Sequence, residues 1–200
     1  VPKLVDHDAR RLHLVKVTWR VIAREGIDGA TMREIATRAG FANGALKPYF
    51  GSKDELLAAS FQHVFNLTNE RTEQSTAGLR GVEALRAFCH EVLPLDEQRI
   101  LEARIVIPFW QKALTDPDKA QQHEQDMNQW RAQMLGYLQQ ARDDGGITRQ
   151  LDDIQVVRHL LSTTMGAQIM AVLYPAEFSP AQQVEALEAY LEMLRQAPPE

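Results

Sequence analysis

Between Thr31 and Lys53 the chain carries small polar and cationic side chains at spacings suited to touching nucleic acid. Asn43 and Lys47 are four residues apart and so share one helix face, while Leu46 and Phe50 share the buried one. An Asn amide pairs bidentately with adenine, a Lys ammonium donates to guanine, and Ala42 or Ala45 can rest against a thymine methyl. Gly44 lets the backbone come close, Tyr49 offers a hydroxyl to phosphate, and Lys53 beside the free amides of a helix start makes an anion site. Taken singly, each of these residues is more often plain solvated helix surface; their arrangement carries the reading.

That arrangement needs two short helices joined by a tight turn. Leu12, Val15, Trp19 and Ile22 recur at helical spacing and predict a first helix from Asp8 to Glu25, stopped by Gly26. Thr31-Met-Arg-Glu34 reads as a capping box opening a second helix that buries Ile35, Ala36 and Ala39. Gly40 can take the left-handed conformation that ends it. A third short element, Asn43 to Tyr49, follows, and Ser52-Lys-Asp-Glu55 is a second capping box that opens a longer helix bearing Leu56, Leu57, Phe61, Val64 and Phe65. This is the pattern of a helix-turn-helix, whose second helix enters the major groove.

The rest reads as helical throughout, with segments at Val82–Leu93, Asp96–Leu114, Pro117–Asp144, one capped by Asp152 or Asp153, and one opened by Ser179-Pro-Ala-Gln182. Pro108 should kink or split its helix. Charge is divided along the chain. The net charge is −5, yet residues 1–60 hold ten Lys or Arg against seven Asp or Glu, which is +3 and leaves −8 on the remainder. A basic module on an acidic body orients electrostatically toward DNA.

The run Thr31-x-x-Glu34-Ile35-Ala36-x-x-Ala39-Gly40-Phe41-x-x-Gly44-x-Leu46-x-x-Tyr49-Phe50-x-x-Lys53-x-x-Leu56-Leu57 resembles the DNA-binding signature of the TetR family of repressors. The resemblance implies an all-α protein: an N-terminal three-helix DNA-binding domain with a helix-turn-helix (1–52) and a larger helical ligand-binding and dimerisation domain (53–200). It places Thr31, Arg33, Asn43, Gly44, Lys47, Tyr49 and Lys53 at or around the DNA contact, with Ala45 beside them. It implies a homodimer that binds a palindromic, double-stranded operator and is released by a small-molecule inducer, with no cofactor. Two residues depart from the pattern. Ala42 stands where a capping Ser or Thr is usual, at about 1 kcal/mol unless Asn43 caps instead, and Pro48 predicts a reader one turn shorter.

The segment from Leu93-Pro-Leu-Asp-Glu to Phe109-Trp110 is similar to the ligand domain of the BetI-like branch, whose best-known member senses choline. Candidate pocket residues are Phe65, Phe88, Glu102, Phe109, Trp110, Trp130, Met165, Gln168 and Met170, since aromatic and Met side chains with a few polar groups line apolar pockets. For a quaternary amine, Trp110 and Phe109 would supply π faces and Glu102 a counter-charge. Candidate dimer residues are Leu161, Gly166, Ala167 and Ala171, where small side chains allow close approach, with the seam Val184, Leu187, Leu191 and Leu194.

Other classes fit poorly. None of the six histidines follows a glutamate by three residues, as a helical di-iron site requires. Cys89 and His90 are adjacent and diverge on a helix, which makes a nucleophile pair improbable, and no metal site is expected. With a single cysteine, no secretory leader pattern and no uninterrupted apolar run of spanning length, the expectation is a cytoplasmic protein without a membrane partner. A ligand-blind DNA-binding dimer is the nearest alternative, and a helical-bundle enzyme a distant one.

Overall fold

The computed structural model describes residues 6–42, 44–147 and 151–195; among them are eight helices and no strand. The helices are α1 (His7–Gly29), α2 (Met32–Arg38), α3 (Lys53–Thr76), α4 (Gly81–Val92), α5 (Glu97–Ala113), α6 (Pro117–Asp143), α7 (Asp153–Leu173) and α8 (Pro180–Arg195). Asp6 caps α1 by accepting from the Ala9 amide at 3.0 Å, and α1 breaks at Gly26 (φ 73°, ψ 176°), where the sequence placed its end.

The turn after α2 follows from local chemistry. Thr31 Oγ1 accepts from the Glu34 amide at 3.1 Å. The Glu34 carboxylate does not return to Thr31 as a full capping box would; it takes Arg38 at 2.6 Å, and the Thr31 amide bonds the Gly29 carbonyl at 2.9 Å. At the other end Gly40 sits at φ +74°, its amide donating to Thr37 and the Phe41 amide to Ala36, which is the paired closure of a Schellman motif. Ser52 Oγ caps α3 through the Glu55 amide at 3.0 Å, and the Glu55 carboxylate accepts from the Gly51 amide at 2.8 Å.

The third element differs from a regular helix. Residues 44–49 form successive tight turns, with Ala45 N donating to Ala42 O, Lys47 N to Gly44 O and Tyr49 N to Leu46 O. Gly44 lies at φ +88°, a conformation that no right-handed helix contains, and Pro48 has no amide to donate.

Two cores fill the molecule. One gathers α1, α2, the turns and the start of α3 around Leu14, Val21, Ile35, Leu46 and Phe50, and also takes Ile105 from α5. The other runs from Phe65 through Phe88, Trp130, Met134 and Leu160 to Leu194. The boundary expected at residue 52 therefore lies just before a helix that serves both, since Val64 belongs to the first core and Phe65 to the second. α5 passes unbroken through Pro108. The carbonyl this proline leaves without its helical donor belongs to Arg104, which is exposed, while Ile105 and Phe109 are fully buried on the inner face and hold the helix in place.

By length and composition α7 alone, among the described residues, is apolar enough to cross a membrane, with a mean hydropathy of 1.2 over its best window, 39% of which is buried. One side of it, Val156, Val157, Leu160 and Leu161 onward, packs into the second core.

Candidate DNA interface and internal cavity

On the head of the molecule Thr31 and Arg33 lie exposed at the start of α2, and Gly44, Lys47 and Pro48 are exposed on the turns beside it, with Ala45 half-buried. Asn43 lies outside the described residues. Tyr49 is 8% exposed, and its hydroxyl accepts from Arg10 Nη1 at 3.3 Å. The Lys53 ammonium turns back to the Ile27 carbonyl, and Ser52 takes the Glu55 amide at the α3 start, so part of the expected anion site is occupied by the protein's own groups. In this structure both side chains are tied to their own chain, Tyr49 to α1 and Lys53 to the end of that helix.

The N-terminus of α1, which sequence reasoning passed over, fastens these turns. His7 Nε2 lies 3.2 Å from the Pro48 carbonyl and its ring 4.8 Å from Tyr49. Arg11 bonds the Tyr49 carbonyl and sits over the Phe50 ring at 4.2 Å.

In the body, a cavity between α3, α4, α5, α6 and α7 holds about 540 Å³ of unfilled space, part of it opening to solvent. Of the expected pocket residues it brings together Phe65, Glu102, Trp110, Trp130, Met165 and Gln168. The other three lie elsewhere. Phe88 (1% exposed) is core against Trp130, and Phe109 (0%) is stacked behind Phe61 at 3.8 Å and 5°, so it has no face left for a ligand. Met170 lies in a separate groove between α7 and α8 with Gly166 and Ala167.

Sequence reasoning missed the charge cluster in the wall. Arg71 Nη1 and Nη2 donate to the two Glu102 oxygens at 3.0 and 2.8 Å, and Arg71 Nε lies 3.3 Å from Glu91. Arg99 donates to Glu91 at 2.7 Å and to the His90 carbonyl at 3.0 Å. Glu102 is thus a paired carboxylate rather than a counter-charge in waiting. His123, on α6, also lines the cavity; burial first, and Arg131 second, lower its pKa.

The expected dimer seam is mostly interior. Leu161, Ala167, Ala171, Leu187, Leu191 and Leu194 are all buried within this one chain, and Gly166 and Val184 are half-buried. Each of the two helices also has a bare stripe: Ser162, Ile169 and Leu173 on α7, and Ala186, Ala189 and Met193 on α8, are exposed, with Ala186 at the edge of the groove that holds Gly166 and Ala167.

Comparison with known proteins agrees with this geometry. The model of the tetR family of bacterial regulatory proteins matches residues 14–60, and that of the C-terminal domain of BetI-type transcriptional repressors matches 81–196. The transcriptional regulator PksA of Bacillus subtilis is 29% identical over 177 residues, 88% of this chain and 84% of its own. The regulator BetI of Burkholderia thailandensis is 29% identical over 119 residues, covering 58% of this chain and 61% of that one. Among solved structures, a transcriptional regulator from Rhodococcus sp. Rha1 superposes with a TM-score of 0.81 at 28% identity, over 94% of this chain and 99% of that one. A regulator from Saccharomonospora viridis, solved in complex with choline, shares the fold with a TM-score of 0.85 at 18% identity, over 92% and 96%. These relatives are regulators of transcription, not enzymes, and the chain is itself a DNA-binding transcriptional regulator of the TetR family with a BetI-type C-terminal domain.

Proposed function

We propose that this regulator is a repressor that binds a palindromic operator as a homodimer and is released by a small molecule entering the body cavity. The observation that carries the reading is the position of α5. Glu102, Val106 and Trp110 of this helix line the cavity, while Ile105, between them, is fully buried in the core of the DNA-binding head. The Lys112–Asp54 ion pair, at 3.2 Å, ties the end of α5 to the start of α3. A ligand that moves α5 moves the support of the reader, and it shifts the population off DNA by its differential affinity for the two arrangements.

The second copy docks on the bare stripe of α7 and α8, where Ile169 and Leu173 meet Ala186, Ala189 and Met193 across a two-fold axis. That sets two readers about one DNA turn, ~34–36 Å, apart. The same docking accounts for the apolar surface of α7 without a membrane, in keeping with a cytoplasmic location. In each reader Thr31, Arg33 and Lys47 face the DNA, with Gly44 and Ala45 against the groove and Tyr49 and Lys53 holding the turns; Asn43 is assigned a base contact.

The test is a binding assay at controlled salt on DNA upstream of the coding region, with an unrelated duplex as control. Specific binding is expected, and Lys47→Ala should weaken it about tenfold. Binding by Lys47→Ala at full strength would refute the assigned reader. Operator binding that no cavity ligand relieves would favour the ligand-independent alternative.

A further inference from the structure

The polar atoms in the cavity wall fall into two sets. In the first, every group is committed. Glu102 (4% exposed) takes Arg71 through both oxygens and Gln98 at 3.1 Å, and Glu91 takes Arg99. Two carboxylates thus balance two guanidiniums, so an entering cation would have to displace one and leave it buried and unpaired. The Thr68 hydroxyl donates to the Val64 carbonyl and that of Thr164 to the Leu161 carbonyl, each at 3.0 Å, while Gln168 Nε2 donates to the Val92 carbonyl at 2.5 Å.

The second set is small. Trp110 Nε1 and His123 Nδ1 are buried ring nitrogens with no hydrogen-bond partner, both rings line the cavity, and their centroids lie 6.1 Å apart. A buried donor without a partner is held at a cost that a ligand can remove. The lowered pKa of His123 keeps its ring neutral near pH 7, with one nitrogen a donor and the other an acceptor. The remaining walls are apolar and include flat rings: Phe65 stacks on Trp130 at 5.2 Å and 25°, Phe61 lies parallel to Phe109 behind it, and Val and Met side chains complete the lining.

The geometry points to a neutral, planar aromatic ligand carrying a hydroxyl, with its ring among Phe61, Phe65, Trp110 and Trp130 and its hydroxyl partnering Trp110 Nε1 and His123 Nδ1. The inference rests on the cavity being the effector site proposed above. It separates this chain from the choline-bound structural neighbour, since choline is a permanent cation and offers no flat ring.

Calorimetric titration of the full chain with naphthol, naphthalene and choline tests it. Naphthol should bind about tenfold more tightly than naphthalene, the worth of a partnered buried donor, and choline should bind more weakly than either. Trp110→Phe and His123→Phe keep a ring and remove the nitrogen; each should bring naphthol and naphthalene to within about twofold of each other. Choline binding more tightly than naphthol, equal binding of naphthol and naphthalene to the unaltered protein, or no binding of either aromatic would each overturn the assignment. Those results need no variant to fold. Naphthol binding that leaves the operator occupied would instead defeat the proposed release mechanism and leave the ligand class standing.

Discussion

Around Phe50 the head is a shell of Leu14, Val21, Ile35, Leu46 and Leu56 with no buried charge among its described residues, whereas around Glu102 the body holds a buried ion pair and empty space, although both are built from amphipathic helices and each keeps a buried ring nitrogen without a partner, Trp19 Nε1 in the head and Trp110 Nε1 in the body. A reader must present a fixed surface, and close-packed aliphatic side chains in few rotamers supply that. A body that takes an effector, as proposed above, must keep room and polar contrast, at a cost in stability that a bound ligand offsets. α5 belongs to both regions, and the proposed release mechanism rests on that shared helix.

The contrast is broken most severely at Arg71. Replacing it by Met strips both Glu102 oxygens of their guanidinium and leaves Glu91 with Arg99 alone, and the loss of one partner from a buried pair costs about 3–5 kcal/mol. In a chain of this size that is a fall in Tm of about 10 °C, readable by circular dichroism. Adding Glu102→Gln to Arg71→Met should recover part of the loss. An unchanged Tm in the single variant would show that the cluster is solvated and would remove the electrostatic argument against a cationic ligand.

A smaller effect is expected at Gly44 in the head. No heavy atom lies within 4 Å of an added Cβ there, so Gly44→Ala strains the backbone at φ +88° without a clash, costing about 1–2 kcal/mol. If operator binding keeps these turns as they stand, affinity should fall together with stability. A variant that is less stable yet binds the operator more tightly would mean that the turns rewind into a helix on DNA, because alanine favours the helix that this glycine interrupts.

These sites also show what was legible in the sequence. The α2 turn could be read because its causes are local: a hydroxyl that takes the amide three residues on, and a glycine where the left-handed conformation is needed. The helical identity of the body could be read from period and punctuation. Periodicity does not say which neighbour a stripe meets, however, so Leu187, Leu191 and Leu194 suggested an interface and proved to face α4 and the core, while the bare stripe of Ile169 and Met193 went unnoticed. The Arg71, Glu91, Arg99 and Glu102 cluster draws on α3, α4 and α5, and nothing in the spacing of these residues along the chain brings them together. Phe61 and Phe109 are equally aromatic in the sequence, and only their stacking order decides which one the cavity sees.

The mildest test concerns Asp126 on α6, one turn from His123, whose buried Oδ2 has no hydrogen-bond partner. Burial pushes this carboxyl up to about 6 from an ordinary value of 3.8. A carboxyl whose pKa is higher in the folded than in the unfolded chain favours folding only while protonated: the ionised form brings no penalty below about pH 4, a growing one between pH 4 and 6, and the full penalty above. The chain should therefore lose stability as pH rises through that window, and Asp126→Asn should remove this loss. Partial solvent access screens the charge, so the gain in Tm at pH ~8 should be only about 1–3 °C, falling to nothing at pH ~4. A pH-independent difference between Asp126→Asn and the unaltered protein would show that its origin is packing rather than charge, and that in this part of the body the contrast with the head is one of shape alone.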